Sequence, residues 1–310
     1  MIVTVTLNPV IERTILVDEF KLGATHNTES QTIIARGKGM HVSRIVHALG
    51  EETLATGLLA GKNGRFIADQ LAQEEINNHF LFIPGHSQEN TKIKDEKTSM
   101  ITEFRGHGPS LEEEDIERFL HHLEEIVHQG DILVLSGTLP ENAPHDFYAR
   151  MIRRVRPLGV FTILDTANSA LKEGVIGKPN IIKPNIAELE ELVDMTFETE
   201  EDIIKGGKVL IQKGIDEVLI TLGKEGAIYL SDNDILKITT TDVEVLSTKG
   251  AGDAFVGGLA VGLLQGKDTM ERLRFASACA TASVRLKGLE TPTIEMIEAV
   301  LDDIEVIELT

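Results

Sequence analysis

FTILDT at residues 161–166, IIKPN at 181–185 and VLITLG at 218–223 are short runs of apolar, often β-branched residues, each closing on a small or polar turn. Segments with helical patterning lie between the last two, at 187–194 and 199–213. Near-continuous apolar runs of this length read as strands buried on both faces, and the intervening helices are what cover them. The same rhythm extends upstream through IVTVTL (2–7), LATGLLAG (54–61) and DILVLSG (131–137), with helical segments at 38–49, 64–74, 111–128 and 144–156. Segment 111–128 repeats apolar residues at Ile116, Phe119/Leu120, Leu123 and Ile126/Val127, and Ser110 with Glu113 sets a capping-box spacing at its start. The pattern specifies an α/β fold built on a mostly parallel sheet.

Two stretches break the rhythm. Residues 12–34 and 86–105 are polar, extended and alternating (TILVDEF, QTIIA, TKIK, TSMITEF). They read as antiparallel strands outside the main sheet, forming a flap over a site; the plainer alternative is a pair of surface hairpins. In open α/β sheets, ligands bind beyond the C-terminal ends of the strands. Asn8-Pro9, SGTLP (136–140), KPN (183–185) and TLG (221–223) all fall at such ends.

Composition narrows the partners. With 310 residues, 42% of them hydrophobic, the chain can bury one large domain, with or without a small appendage. A formal net charge of −20 argues against a nucleic-acid partner, which needs a basic face. The single cysteine, Cys279, lies in the apolar FASACATASV, which suggests core packing and fits a cytoplasmic setting. MIVTVTLNP lacks the basic region of a signal peptide, and no apolar run is long enough to span a membrane. His121, His122 and His128 read as a solvated helix face, without the spacing of a metal site.

The strongest chemical signal is STKGAGDAFVGG, 247–258. Gly250, Ala251 and Gly252 precede an apolar helical run, so their unpaired N–H groups at a helix N-terminus can cradle an anion that small side chains leave accessible. Asp253 follows in the first turn. As a simple cap it would not call for the small residues ahead of it. Phosphoryl transfer needs a positioned base for the acceptor hydroxyl and fixed donors for the moving phosphoryl, and these four residues supply both.

Read from end to end, the chain resembles the PfkB carbohydrate kinase family, nearest the branch with 1-phosphofructokinase and tagatose-6-phosphate kinase. The resemblance is carried in order by TLNPVIE (6–12), RGKGMHVSR (36–44), AGKNG (60–64), NTKI (90–93), SGTLP (136–140), LDT (164–166), KPNIAELEEL (183–192), TLGKEGA (221–227) and KGAGDAFVGG (249–258). It implies a three-layer α/β/α, ribokinase-like core as one kinase domain over 1–310, with a small β lid inserted at about 12–34 and 86–105. It also implies ATP as donor and Mg²⁺ as the required ion. Carried over, Asp253 matches the catalytic base and Gly250–Gly252 the anion hole. Lys183, Asn185, Thr221, Gly223, Gly226 and Thr248 match the nucleotide site. Asn185 and Glu188 match the Mg²⁺ environment, through water; read plainly, Glu188 is an early-helix acid and Lys183 an exposed strand end. Glu12, Gly37, Lys38, His41, Asn90 and Lys92 match acceptor positions.

The acceptor half departs from the family pattern. Glu12 stands where an Asp is usual, Arg36 where a Gly is, and His41 where an Asn is. Asn27 and Gln88 fall at places usually held by arginines, whose bidentate pairing with phosphate is strong. Two acceptors follow: a ketose phosphate, or another sugar, sugar acid or nucleoside. A nucleotide-binding protein without catalysis and an NAD-dependent oxidoreductase are further alternatives, the latter lacking a proper GxGxxG. The lid strands could pair across a homodimer, and a covered monomer is equally writable.

Overall fold

β-branched, apolar runs become strands and the amphipathic runs between them become helices, in the order the periodicity sets out. A computed structural model describes residues 1–309. The chain begins β1 (Ile2–Thr6), β2 (Val10–Val17), β3 (Ser30–Arg36), α1 (Lys38–Ala48), β4 (Thr53–Ala60) and α2 (Gly61–Gln73). Short β5 (Asn77–Asn78) and β6 (Leu81–Ile83) precede β7 (Gln88–Asp95), β8 (Ile101–Arg105) and α3 (Glu113–Ile126). Strands and helices then alternate as β9 (Ile132–Ser136), α4 (Phe147–Val155), β10 (Phe161–Asp165), α5 (Asn168–Gly174) and β11 (Ile181–Ile182). After α6 (Ile186–Val193) and α7 (Glu200–Gln212) come β12 (Glu217–Thr221), β13 (Ala227–Ser231) and β14 (Ile235–Ile238). The chain closes with α8 (Ala251–Leu264), α9 (Thr269–Ser283), α10 (Ile294–Leu301) and β15 (Val306–Glu308).

The main sheet runs β15-β14-β13-β12-β11-β10-β9-β1-β4-β5, with β6 also pairing β4. From β12 to β5 the pairs are parallel; β13, β14 and β15 add an antiparallel edge. Strand alternation sends side chains to opposite faces. Val3, Val5, Leu133 and Leu135 pack on one side with Phe119, Phe147 and Leu210 of α3, α4 and α7. Ile2, Ile132 and Val134 pack on the other with Val42 of α1, Leu259 of α8 and Leu273 of α9. The result is three layers, α/β/α.

β3, β2, β7 and β8 form a second, four-stranded sheet in that order. Its outer pairs are antiparallel, but β2 and β7 at its centre run parallel, a correction to the all-antiparallel expectation. The reason is topological: β2 and β7 both leave C-terminal ends of the main sheet, from β1 and β6, and so set out in one direction. Ile11 and Ala35 tie this sheet to the core through Met40, Leu59 and Ile67.

Two local expectations also change. The capping box of α3 is Glu112 with Asp115, not Ser110 with Glu113, because the chain stays extended through Glu112 before the first turn closes. His122 is buried rather than solvated; its Nε2 lies 2.9 Å from the His79 carbonyl and 3.2 Å from Thr56 Oγ1, and burial lowers its pKa. It occupies the core-facing stripe of α3 together with Phe119. No helix among the described residues is long and apolar enough to cross a membrane.

Candidate active site

The site lies where β1, β9, β10, β11 and β12 end, as the parallel topology requires. On one side a cavity of about 380 Å³ is lined by Lys183, Thr221, Gly223, Gly226, Thr248 and Gly252 among others. These residues come from the ends of β11 and β12, the turn before β13 and the mouth of α8, so the fold gathers positions up to seventy residues apart in sequence. Phe255, Val243 and Val284 supply apolar wall. Sequence reading missed these three, because a pocket wall and a core position look alike in an apolar run.

α8 starts at Ala251, with Gly250 as its cap in the left-handed region (φ 85°). A Cβ there would stand 2.5 Å from Cε1 of His41 and 2.7 Å from Cδ2 of Leu289, so only glycine makes this entry without strain or clash. Asp253 in the first turn is 6% exposed. A Cβ on Gly252 would be 3.4 Å from Lys183 Nζ, which puts that ammonium beside the open amides of the helix mouth. Lys183 is buried, not an exposed strand end. Asn185 does not line the cavity but bridges to Thr221 at its edge.

One organising residue lay unassigned in the sequence. Asp165, at the end of β10 and 3% exposed, sits 3.1 Å from Lys183 Nζ and 3.5 Å from Lys38 Nζ. Burial opposes its ionisation, yet the two ammonium groups prevail and hold its carboxyl below the usual range. Lys38 mirrors this: burial works against its charge, and Asp165, Asp253 and Glu188 together raise its pKa. The signal available was an acid in LDT, at a strand's C-terminal end.

Asn185 and Glu188 cap α6 reciprocally. Glu188 N–H donates to Asn185 Oδ1 and Asn185 N–H donates to a Glu188 oxygen, each at 2.9 Å. The box consumes one oxygen of each side chain and leaves the other carboxylate oxygen of Glu188 open. The free carboxylate oxygen of Glu188 and the second lone pair of Asn185 Oδ1 are hard donors of the kind taken by a cation that keeps most of its water.

The lid sheet brings the acceptor candidates together. Period-two alternation and the β2–β7 register put Glu12, Asn90, Lys92, Gln88 and Arg36 on one face. Glu12 accepts from Arg36 Nη2 at 3.0 Å and from Lys92 Nζ. Burial opposes its charge, and Lys92 and Arg36 overcome that and lower its pKa. Arg36 Nε is buried without a partner. Gln88 donates to Asn90 Oδ1 at 2.9 Å and accepts from Asn8 at 3.3 Å. Asn27 stands exposed in the loop before β3. Gly37 opens α1 beneath Arg36, and Gly39 lets the helix approach β1: a Cβ there would meet the Val5 carbonyl at 2.5 Å. His41, one turn on, faces Asp253 with Nδ1 3.1 Å from Oδ2.

A glycine-opened helix mouth beside the buried Lys183 and the half-exposed Lys38, with a separate four-stranded β sheet on an α/β/α core, points to an ATP-dependent carbohydrate kinase. The model of the pfkB family carbohydrate kinases matches residues 5–296, and the chain belongs to that family. It is 30% identical over 312 residues to tagatose-6-phosphate kinase of Staphylococcus epidermidis and 29% identical over 311 residues to 1-phosphofructokinase of Bacillus subtilis, each match spanning both chains in full. A Staphylococcus aureus structure assigned as a phosphofructokinase superposes with a TM-score of 0.91 at 29% identity, over 100% of this chain and 99% of that one. Phosphofructokinase-2 of Escherichia coli with potassium gives 0.89 at 24% identity, over 97% and 98% of the two chains, a likeness of fold alone.

Proposed function

We propose that the chain transfers the γ-phosphoryl group of ATP to a hydroxyl of a ketose phosphate, in line, with Asp253 as the base. The observation that carries this reading is the placement of Asp253: a buried carboxylate in the first turn of α8, next to the amides of Ala251 and Gly252 that border the cavity, and within the field of Lys38. A base beside fixed anion donors is what the transfer requires. Lys183 and the helix mouth would meet the phosphates, and the apolar wall of Phe255, Val243 and Val284 suits a flat base. Mg²⁺ would be held through water by Glu188 and Asn185, offsetting phosphate charge when bound.

Lys38 leads from the nucleotide side toward the lid face of Glu12, Asn90 and Lys92, where the acceptor would lie. The relatives named for sugar-phosphate substrates favour a ketose phosphate. A second reading, an acceptor without phosphate, is favoured by one feature: Gln88 carries no charge, and the cations of that face are already paired, Arg36 and Lys92 with Glu12 and Arg105 with Glu103. The lid is proposed as part of a single kinase domain, with its outer strands available for pairing in a homodimer.

ADP release with fructose 1-phosphate, fructose 6-phosphate and tagatose 6-phosphate tests the assignment. Turnover with at least one, abolished by Asp253→Ala while ATP still binds, is the expected result. Turnover with unphosphorylated sugars or nucleosides only would replace the acceptor and leave the reaction standing.

A further inference from the structure

We infer that His41 positions the carboxylate of Asp253 by donating its Nδ1 proton to Oδ2, so that a single oxygen, Oδ1, is left to accept the acceptor's hydroxyl proton. The inference rests on the reading of Asp253 as base and adds a residue to it. The two side chains belong to elements 212 residues apart in sequence, His41 on the first turn of α1 and Asp253 on the first turn of α8. They meet at 3.1 Å with 1% and 9% of their side chains exposed.

The surroundings select the tautomer. A buried carboxylate can only accept, so the bond between the two requires a proton on Nδ1. Nε2 is buried with no hydrogen-bond partner. In the Nδ1–H form it carries only a lone pair. The opposite tautomer would bury an N–H without an acceptor and set a lone pair against the carboxylate, losing on both counts.

The ring is also closely packed. Its Cε1 would touch any side chain at position 250, so the imidazole packs flush on the left-handed glycine that opens the anion turn. α1 itself is held by Met40 N–H donating to Thr6 Oγ1 at 2.9 Å. One buried group thus contacts both the turn and the carboxylate beside it. Rotation of the carboxylate would break its bond to Nδ1–H, and a base misplaced by roughly an ångström can cost about a hundredfold in rate.

Asparagine and glutamine substitutions separate orientation from mere filling. The amide of Asn reaches the place of Nδ1, whereas that of Gln reaches the place of Nε2. With tagatose 6-phosphate and fructose 1-phosphate as acceptors, His41→Gln and His41→Leu should lower kcat about ten- to a hundredfold with the KM for ATP within about twofold. His41→Asn should recover most of that loss. Equal losses in Asn and Gln, or unchanged kcat in Leu, would overturn the inference.

A second measurement needs no turnover. Two-bond ¹H–¹⁵N spectra of the histidine rings, taken on the full chain, should show His41 as the Nδ1–H tautomer, and should lose that preference in Asp253→Leu. An Nε2–H ring in the unmodified chain would refute it. Should Asp253→Ala keep its turnover, the base assignment itself fails, a result separable from either outcome at His41.

Discussion

Replacing Asp165 by Asn removes one negative charge and almost no volume, leaving Lys183 and Lys38 facing each other across a neutral amide. At 3.1 Å, an effective dielectric near 20 gives each close pair a gross attraction of about 5 kcal/mol, before desolvation is set against it. The measured cost of deleting one partner of a buried pair is about 3–5 kcal/mol, because the orphaned charge stays buried. Lys183 is 8% exposed by its side chain and bears most of this; Lys38, at 49%, is screened by water and adds little. With an unfolding entropy of about 2.1 cal/mol/K per residue, 310 residues give about 0.65 kcal/mol/K, so the melting temperature should fall by about 5–8 °C. Thermal unfolding by near-ultraviolet circular dichroism reads this directly. The pH dependence has a definite sign. A carboxyl whose folded pKa is depressed stabilises above its unfolded value, near 3.8, and that contribution disappears as the pH drops through the lower folded value. The gap between Asp165→Asn and the parent should therefore be constant near neutrality and shrink below pH 3.8. The double substitution Asp165→Leu with Lys183→Met removes the orphan and should recover part of the loss. A fall of less than about 2 °C, or a double variant no better than the single, would refute this account of the pair.

Other expectations are shorter. Gly250→Ala must hold a left-handed backbone at about 1–2 kcal/mol and press its Cβ on the His41 ring, so both melting temperature and kcat should drop, and wild-type kcat would speak against the turn's role. Glu12→Gln strips the carboxylate from Arg36 and Lys92; losing charged hydrogen bonds of about 1.5–3 kcal/mol, the variant should show a KM for the acceptor raised ten- to a hundredfold with that for ATP unmoved. Burial pushes the Cys279 thiol up to about 12. Iodoacetamide at pH 8 should label it only after unfolding, and rapid labelling of the native chain would contradict its place in the core.

How much could be read without coordinates depends on whether local pattern or distant packing decides a feature. The strands ending at Ser136, Asp165 and Thr221 announce themselves, because burial on both faces demands unbroken apolar runs. The helix entry at Gly250 to Asp253 is legible for a similar reason: a tight left-handed start to a closely packed helix needs small residues at consecutive positions. The antiparallel edge of β13 to β15 was not, since a strand at a sheet's margin carries mixed residues such as those of Ile235–Ile238. Asp165 escaped because nothing within LDT says that lysines from two other elements converge on it. His122 was misread for the converse reason: the stretch that holds it is rich in charge, while its own position on the helix faces Thr56 and His79. For Arg36 and Lys92, sequence shows two cations near an acid but cannot say that both close on Glu12.

That closure bears on how the acceptor could be chosen. Glu12 is one methylene longer than Asp, and in the structure the extra reach is spent on two cations of its own lid face. For it to receive sugar hydroxyls, at least one of those bonds must be exchanged. An acceptor bearing an anion can make the exchange neutral in charge, drawing Arg36 or Lys92 to itself as Glu12 turns to the hydroxyls. A neutral sugar cannot, and would have to share the carboxylate with both cations still attached. The exchange also has a direction. Lys38, held by Asp165 between the lid and the nucleotide side, is the cation left at the junction where the phosphoryl would cross. If Arg36→Gln leaves discrimination between phosphorylated and free sugars unchanged, the exchange is not what selects, and the lid chooses by shape alone.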